Sequence, residues 1–158
     1  MENTLRARKI KDGTVIDHLN ANTAFPVLKL LGLLGETQNV LTVLINVESQ
    51  KLGRKDLIKI EGRELNPREA DLISIISPDA TINVIRNFSV VEKKRVGLPN
   101  VLKSVKCPNP TCITNTNEPA PAEFAVIRNK EIVFRCKYCN RQFDIATIRK
   151  VILEKQFL

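Results

Sequence analysis

Residues 66–76, Asn-Pro-Arg-Glu-Ala-Asp-Leu-Ile-Ser-Ile-Ile, predict a helix with both of its ends marked. Asn66 is a preferred N-cap residue, and Pro67 suits the first helical position. Glu69 follows the cap by three residues, where its side chain can complete a capping box. Ser77-Pro78 ends the helix because proline cannot continue it. The apolar stripe of this helix consists of Ala70, Ile73 and Ile76.

Strand-like segments lie on both sides of this helix. They are rich in β-branched residues, whereas one earlier segment has apolar residues at helical spacing. In chain order we predict a strand at 14–18, a helix at 22–33, strands at 40–47 and 55–60, the helix at 66–76, and one long strand from 81 to about 91. This order, β-α-β-β-α-β, is that of the split βαβ fold, in which two helices cover one face of an antiparallel sheet.

Four cysteines form two close pairs in the last third of the chain, Cys107 with Cys112 and Cys136 with Cys139. Two tight turns of two thiolates each, joined by a predicted β-hairpin over 124–134, can supply the four ligands of a tetrahedral zinc ion. Because cysteine fills every position, such a zinc ion is structural. A disulfide pair, an iron–sulfur cluster and a redox dithiol are the alternatives, and the dithiol accounts for the second pair only. A terminal helix follows, predicted from the spacing of its apolar residues.

The composition is that of a folded globular protein of 158 residues, 43% hydrophobic and 27% charged. Because no apolar run is long enough for a membrane span and no secretory signal opens the chain, we expect a cytoplasmic protein without a membrane partner. Gly97-Leu98-Pro99 interrupts the chain, which predicts a first domain over 1–96 and a second over 101–158. No P-loop or nucleophile-elbow motif occurs, so no active site is predicted.

The net charge of +8 favours anionic partners such as nucleotide phosphates, nucleic acid or an acidic protein surface. Lys55 and Lys59 share one face of the strand at 55–60, while Asn83 shares a face with Ile85 on the strand that leads to Lys93. Lysines and an asparagine around a sheet can hold a triphosphate and a base. Taken alone, the pattern is more typical of solvent-facing lysines on a half-exposed sheet.

Three motifs together resemble the regulatory subunit of aspartate carbamoyltransferase: Gly13–His18, Gly53–Glu61, and the two cysteine pairs in the form Cys107-Pro-Asn and Cys136-Lys-Tyr-Cys139. The resemblance covers nearly the whole chain. It implies an α+β fold, with a ferredoxin-like allosteric domain followed by a small β-rich, zinc-ribbon-like domain. It also implies a subunit without catalysis of its own. Such subunits pair into dimers, bridge catalytic trimers and respond to CTP, ATP and UTP in pyrimidine biosynthesis.

The resemblance further implies an effector site. Asp17 and His18 would lie beside the ribose and phosphates of a nucleoside triphosphate, and Lys59 would contact the ribose. Lys93 would neutralise the phosphates, and Asn83 would help to hold the ribose and phosphates. The base edge would be read, largely through backbone groups, by Ile10, Ile85 and Phe88.

Two further roles are implied by the resemblance. Lys55 would serve a second nucleotide, and Asn109 in the first cysteine turn would contact the catalytic chain. The sequence departs from the family at Phe88, where many relatives have Tyr, and at Thr111, where Asn is common. It also continues beyond Asp144 with extra residues. The alternative function is a zinc-ribbon nucleic-acid-binding protein, favoured by the 10 Lys/Arg against 5 Asp/Glu in residues 101–158; a metal-dependent enzyme is disfavoured by the closed cysteine site.

Overall fold

The computed structural model describes residues 8–116 and 120–155. Three α-helices are present in this part of the chain: α1 Ala24–Leu30, α2 Pro67–Ile76 and α3 Ile145–Lys155. The first five strands are β1 Gly13–Asn20, β2 Leu41–Ser49, β3 Gly53–Glu61, β4 Thr81–Arg86 and β5 Ser89–Arg95. The remaining four are β6 Val101–Lys103, β7 Glu123–Arg128, β8 Ile132–Cys136 and β9 Gln142–Asp144.

The first sheet is antiparallel with strand order β2-β3-β1-β4-β5. Its first four strands have the split βαβ order, and α1 and α2 lie on one face of it. Ile16, Ile58 and Ile60 point to that face and are fully buried. The predicted α+β fold, with a ferredoxin-like first part, is therefore confirmed.

The capping chemistry predicted for α2 is present. Asn66 Oδ1 accepts a hydrogen bond from the Glu69 amide at 2.9 Å, and Glu69 Oε1 accepts one from the Asn66 amide at 3.1 Å. At the other end the Ser77 amide donates to the Ile73 carbonyl at 2.8 Å. Local sequence signals are thus sufficient to fix both ends of this helix.

The single long strand predicted from residue 81 to about 91 is wrong, because the chain reverses at Asn87-Phe88 to form β4 and β5. Both residues have positive φ, 49° and 65°, the backbone of a tight two-residue hairpin turn. Phe is an unusual residue at such a position, so the turn has no sequence signal. Tertiary contacts hold it instead: the Phe88 amide donates to the Lys11 carbonyl at 2.9 Å, and the Asn87 amide donates to Asp12 Oδ1 at 3.1 Å.

A second antiparallel sheet, with strand order β6-β7-β8-β9, contains the predicted hairpin, and α3 follows it. The apolar core runs without a break from the first sheet into this part, through Ile76, Val96, Leu102 and Ile148. The predicted domain boundary at 97–100 falls between β5 and β6. In the described part of the chain no helix combines the length and the apolar character that crossing a membrane requires.

Candidate functional site

The face of the first sheet that points away from α1 and α2, called the open face below, carries a row of polar side chains. Lys59 of β3 and Asn83 of β4 both pair with Val15 of β1, and Lys93 of β5 pairs with Asn83. Directly paired residues point to the same side of a sheet, so the three polar side chains lie in line. With neighbouring strands about 4.8 Å apart, the row extends over roughly 14 Å.

The three members of the row differ in their contacts. Lys59 Nζ donates to the Arg8 carbonyl at 2.6 Å, and Asn83 Nδ2 donates to the Val15 carbonyl at 3.4 Å. Lys93 is exposed, and among residues 8–116 and 120–155 it has no hydrogen-bonding or ionic partner. The row therefore offers one unpaired ammonium group at its β5 end. Its other two donors are fixed by hydrogen bonds to backbone carbonyl groups.

An ion pair lies beside this row on the same face. Lys55 Nζ is 2.8 Å from Asp17 Oδ1, which also accepts a hydrogen bond from the His18 amide at 2.7 Å. Burial raises the pKa of the Asp17 carboxyl, but the hydrogen bonds from Lys55 and His18 and the positive charge of Lys55 outweigh it. The net result is a pKa below the ordinary value of 3.8.

His18 lies at a bulge in β1, where the register with β3 shifts between Ile16 and Leu19. Its φ of 53° is left-handed, so the simple alternation of faces along a strand does not apply to it. His18 Nδ1 lies 3.4 Å from Thr81 Oγ1 on β4, and Thr81 pairs directly with Asp17. The bulge thus places both Asp17 and His18 beside Thr81 of β4.

The three residues implied for base recognition lie at the hairpin end of the sheet. Ile10 and Ile85 are buried, and Ile85 pairs with Gly13. Phe88 is 57% exposed, and its amide is already committed to the Lys11 carbonyl. A backbone contact from Phe88 to a ligand would therefore use its carbonyl group.

The four cysteines form one cluster, whose sulfur atoms all lie within 4.8 Å of one another. The Cys107 and Cys139 sulfurs are 3.8 Å apart, as are those of Cys112 and Cys136. These separations are far longer than the roughly 2.0 Å of a disulfide bond. They equal the edge, about 3.8 Å, of a tetrahedron of sulfurs around an ion at about 2.3 Å from each. The cluster fits a four-thiolate metal ion and leaves no position for water or substrate.

Polar side chains hold the first cysteine turn in shape. Thr114 Oγ1 donates to Cys112 Sγ at 3.2 Å. Asn115 Nδ2 donates to the carbonyls of Cys107, at 2.9 Å, and Asn109, at 2.8 Å. Sequence reasoning missed Thr114 and Asn115, because a hydroxyl or amide after a ligand cysteine is ordinary loop composition. Only the folded turn shows that they orient the ligands.

Asn109 is turned into the cluster rather than outward. It is 6% exposed, and its Oδ1 accepts hydrogen bonds from the amide and the hydroxyl of Thr111 at 3.2 and 3.0 Å. Burial raises the pKa of the Cys139 thiol, but hydrogen bonds from the Arg141 amide, the Asn109 side chain, Cys136 and Cys107 together outweigh it and lower the pKa to about 7. Asn109 thus favours a thiolate ligand, while its contact with a catalytic chain stays a prediction.

Together, the split βαβ sheet and the cysteine cluster define an α+β protein that carries a metal-binding domain after a sheet domain. Comparison with protein families agrees with this division. Residues 5–97 match the family model "Aspartate carbamoyltransferase regulatory chain, allosteric domain", and residues 99–149 match the "metal binding domain" of the same chain. The protein belongs to the aspartate carbamoyltransferase regulatory chain family. The resemblance of its three sequence motifs is therefore confirmed, and a regulatory chain is a non-catalytic subunit.

Proteins named aspartate carbamoyltransferase regulatory chain are similar to this chain over almost its whole length. The protein of Pyrobaculum arsenaticum is 47% identical over 150 residues, which cover 94% of this chain and 99% of the relative. The protein of Korarchaeum cryptofilum is 50% identical over 150 residues, with coverage of 92% and 96%. That of Methanothrix thermoacetophila is 48% identical over 142 residues, with coverage of 89% and 92%.

Proposed function

We propose that this chain binds nucleoside triphosphates, CTP, ATP and UTP, on the open face and transmits their effect to the catalytic chains of a cytoplasmic aspartate carbamoyltransferase in pyrimidine biosynthesis. The observation that carries this proposal is the row of Lys59, Asn83 and Lys93 across four strands. Its length of roughly 14 Å suits an extended ligand with polar groups along its whole length.

Each part of the row suits a different part of a nucleotide. The unpaired ammonium of Lys93 neutralises phosphate oxygens through charge-assisted hydrogen bonds. Lys59 and Asn83 donate to the ribose hydroxyls and the first phosphates, with Asp17 and His18 beside them. The base then lies towards the hairpin, where Phe88 offers exposed apolar surface and the chain around Ile85 and Phe88 offers backbone groups. Lys55 becomes available to a second nucleotide only when its ion pair with Asp17 opens.

Binding on this face controls a distant catalytic chain only through a difference in affinity. A nucleotide shifts the equilibrium between two quaternary states by as much as it prefers one of them. Typical couplings of this kind are about 1–3 kcal/mol, which corresponds to changes of about 5- to 150-fold. CTP and ATP have the same triphosphate, so opposite effects of the two must come from how the base contacts the hairpin end.

The metal ion is zinc in this proposal, one per chain. Four cysteine sulfurs within 4.8 Å of one another, with two of their separations at 3.8 Å, suit Zn²⁺, which prefers sulfur ligands in a tetrahedral arrangement. When bound, zinc closes the two cysteine turns onto each other and so supplies folding energy. Cys107, Cys112, Cys136 and Cys139 hold it, and Thr114 and Asn115 orient the first pair.

Docking onto catalytic trimers is assigned to the metal-binding domain. Ile113 and Tyr138 are 58% and 46% exposed although both are large and apolar. Ile113 directly follows the ligand Cys112, and Tyr138 directly precedes the ligand Cys139, so the metal fixes the positions of both residues. Rigid, exposed apolar side chains of this kind are typical of binding anchors.

The same chain pairs with a second copy through the β2 edge of its first sheet. Both edge strands, β2 and β5, have unpaired backbone groups. β5 carries the run Lys93-Lys94-Arg95, which discourages pairing with another strand. β2 has no Lys or Arg over nine residues, and its Ile45 is exposed. The β2 edge is therefore the surface for the regulatory dimer.

Reconstitution with the catalytic chain tests the proposed function. We expect the mixed complex to show a shift of its aspartate saturation curve on addition of CTP, ATP or UTP, and the catalytic chain alone to show none. Calorimetric titration of the isolated regulatory chain should detect CTP and ATP binding. A regulatory chain that binds neither nucleotide, or that co-purifies with nucleic acid instead of a catalytic chain, would contradict the proposal.

A further inference from the structure

Residues 145–155, to which the family resemblance assigns no role, form helix α3 and join the two halves of the molecule. α3 is 11 residues long and packs against both α1 and α2. Ile148 is fully buried and Ile152 is 4% exposed, and both belong to the core that also contains Leu30 and Ile75. The last helix of the metal-binding domain is thus seated on the helices of the first sheet.

A hydrogen bond fixes α3 at one point of this contact. Arg149 Nε donates to the Ile75 carbonyl at 2.6 Å, between residues 74 positions apart. Ile75 is in the last turn of α2, where carbonyl groups lack a partner inside the helix. A positive guanidinium at this end also interacts favourably with the helix dipole. Arg149 therefore completes α2 from the other half of the chain.

The same end of α2 is tied to the open face. The backbone N–H of Asn20 donates to Ser77 Oγ at 2.8 Å, and the Ser77 hydroxyl donates back to the side-chain Oδ1 of Asn20 at 2.8 Å. Asn20 is the last residue of β1 and pairs directly with Lys55, the partner of Asp17. Two direct contacts, Lys55 with Asn20 and Asn20 with Ser77, therefore connect the Asp17–Lys55 pair to the end of α2.

At its other side α3 approaches the metal site. Val151 and Glu154 line a cleft of about 550 Å³ together with Cys107 and Pro108 of the first cysteine turn. α3 thus has the end of α2 on one side and a ligand-bearing turn on the other. An angular shift of α3 would move the cysteine turn relative to the first sheet.

We propose that Arg149 is a positioning residue for allosteric coupling: its hydrogen bond to Ile75 makes α3 follow the end of α2, and so passes a change on the open face to the metal-binding domain. This inference rests on the proposed function, because it assigns the route by which bound nucleotide acts. Arg149 touches neither the open face nor the cysteines. Its loss should therefore reduce coupling without reducing the affinity for nucleotide.

The test uses the assembled complex of regulatory and catalytic chains. Arg149→Met keeps the apolar stem and removes the donor, Arg149→Lys keeps a charge and a donor, and Lys150→Met is the matched control on the exposed side of α3. We expect Arg149→Met to bind CTP within about twofold of the unchanged chain but to lose at least about half of the CTP-induced change in half-saturating aspartate. Arg149→Lys should recover part of it, and Lys150→Met should behave as the unchanged chain.

The possible failures are distinguishable. If the unchanged chain binds no CTP, or its complex does not respond to CTP, the proposed function fails. If the complex responds and Arg149→Met responds equally, the inference about Arg149 is overturned while the proposed function stands. Should Arg149→Met fail to assemble, hydrogen exchange of the full regulatory chain decides. CTP should then change the protection of amides in 145–155, and no change there would overturn the inference.

Discussion

Lys55 and Asp17 form an ion pair between β3 and β1, with Nζ 2.8 Å from Oδ1 and each side chain only about one fifth exposed. The pair lies beside the polar row and engages a lysine that would otherwise attract an anion. Asp17 thereby has two roles on the open face. It stabilises the sheet through Lys55 and the His18 amide, and it repels a phosphate that approaches closely.

The stability contributed by this pair should depend on pH. Because the pKa of Asp17 is lower in the folded chain than its ordinary value of 3.8, the pair stabilises the fold above that value, and this stability is lost as the pH falls through the folded pKa. We expect Asp17→Asn to lower the free energy of unfolding at neutral pH by about 1 kcal/mol. Urea unfolding measures this difference at neutral pH and again at a pH below the folded pKa of Asp17. The deficit should vanish in acid, whereas the exposed Glu131→Gln should show none at either pH.

Adjacent lysines on β5 provide a matched pair of variants for the effector site. Lys93 pairs with Asn83 and points to the open face, while Lys94 pairs with Ile82 and points to the side of α2. We expect Lys93→Ala to weaken CTP and ATP binding by about 1.5–3 kcal/mol, because a charge-assisted contact is lost. Lys94→Ala removes the same net charge and should leave affinity unchanged. Calorimetry that gives equal losses for both would show a mere effect of net charge.

Lys59→Ala addresses the other end of the row. The side chain points away from the core, so its removal should leave the fold intact while the contact with a ribose hydroxyl is lost. We expect weaker nucleotide binding with an unchanged unfolding midpoint, measured by calorimetry and circular dichroism. If Lys59→Ala and Lys93→Ala, tested separately, both leave nucleotide affinity unchanged, the open face is not the effector site.

The elements that sequence could predict are those with local signals. The capping box of α2 involves residues three apart, so Asn66 and Glu69 are visible as a pattern and the structure confirms them. The cysteine cluster is equally predictable from the sequence, because the close spacing within each cysteine pair is what a four-thiolate metal site requires. The turn at Asn87-Phe88 was not, since contacts with Lys11 and Asp12 hold it from 75 or more positions away.

The candidate site was predictable only in part for a related reason. Alternation along one strand shows that Lys55 and Lys59 share a face, but the register between strands decides which side chains meet. Lys59 and Asn83 meet through Val15 only because β1 lies between β3 and β4. The bulge at His18 is likewise a property of the paired strands, which one sequence does not encode in any single motif.

Gly13 begins β1 in a backbone conformation that other residues rarely adopt. Its φ is 142°, and an added Cβ would lie 2.0 Å from the Ile60 carbonyl oxygen. We expect Gly13→Ala to destabilise the first sheet by more than the roughly 1–3 kcal/mol of backbone strain alone. Gly53→Ala is the control, because its φ is 76° but nothing lies within 4 Å of the added atom. Equal shifts of the thermal unfolding midpoint would show that the close contact at Gly13 relaxes.

The two edges of the first sheet allow a direct test of the regulatory dimer. Ile45→Lys places a charge on the β2 edge, and Val91→Lys places the same charge on the β5 edge; both residues are exposed. A lysine on an edge strand opposes pairing with another strand. We expect Ile45→Lys to give a monomer in sedimentation equilibrium and Val91→Lys to remain a dimer. The opposite result would assign the dimer to β5.

Removal of one metal ligand should separate the two functions of the chain. Cys139→Ser leaves three thiolates, and in a small domain the binding of the metal supplies much of the folding energy. We expect one zinc per unchanged chain in elemental analysis and much less in the variant. The variant should still bind CTP, because the first sheet has its own helices and buried core, but it should fail to join catalytic trimers in size-exclusion chromatography.

The shared core adds a stability change to this prediction. Ile148 and Ile152 of α3 pack with Leu30 and Ile75, so loss of the metal should also lower the unfolding temperature of the first sheet. A mercurial that reacts with the thiolates should dissociate the unchanged complex, and thiol plus zinc should restore it. If Cys139→Ser assembles normally, the metal-binding domain is not the docking element. If it loses CTP binding as well, the first sheet depends on α3 to fold, and residues 1–96 do not form an independent domain.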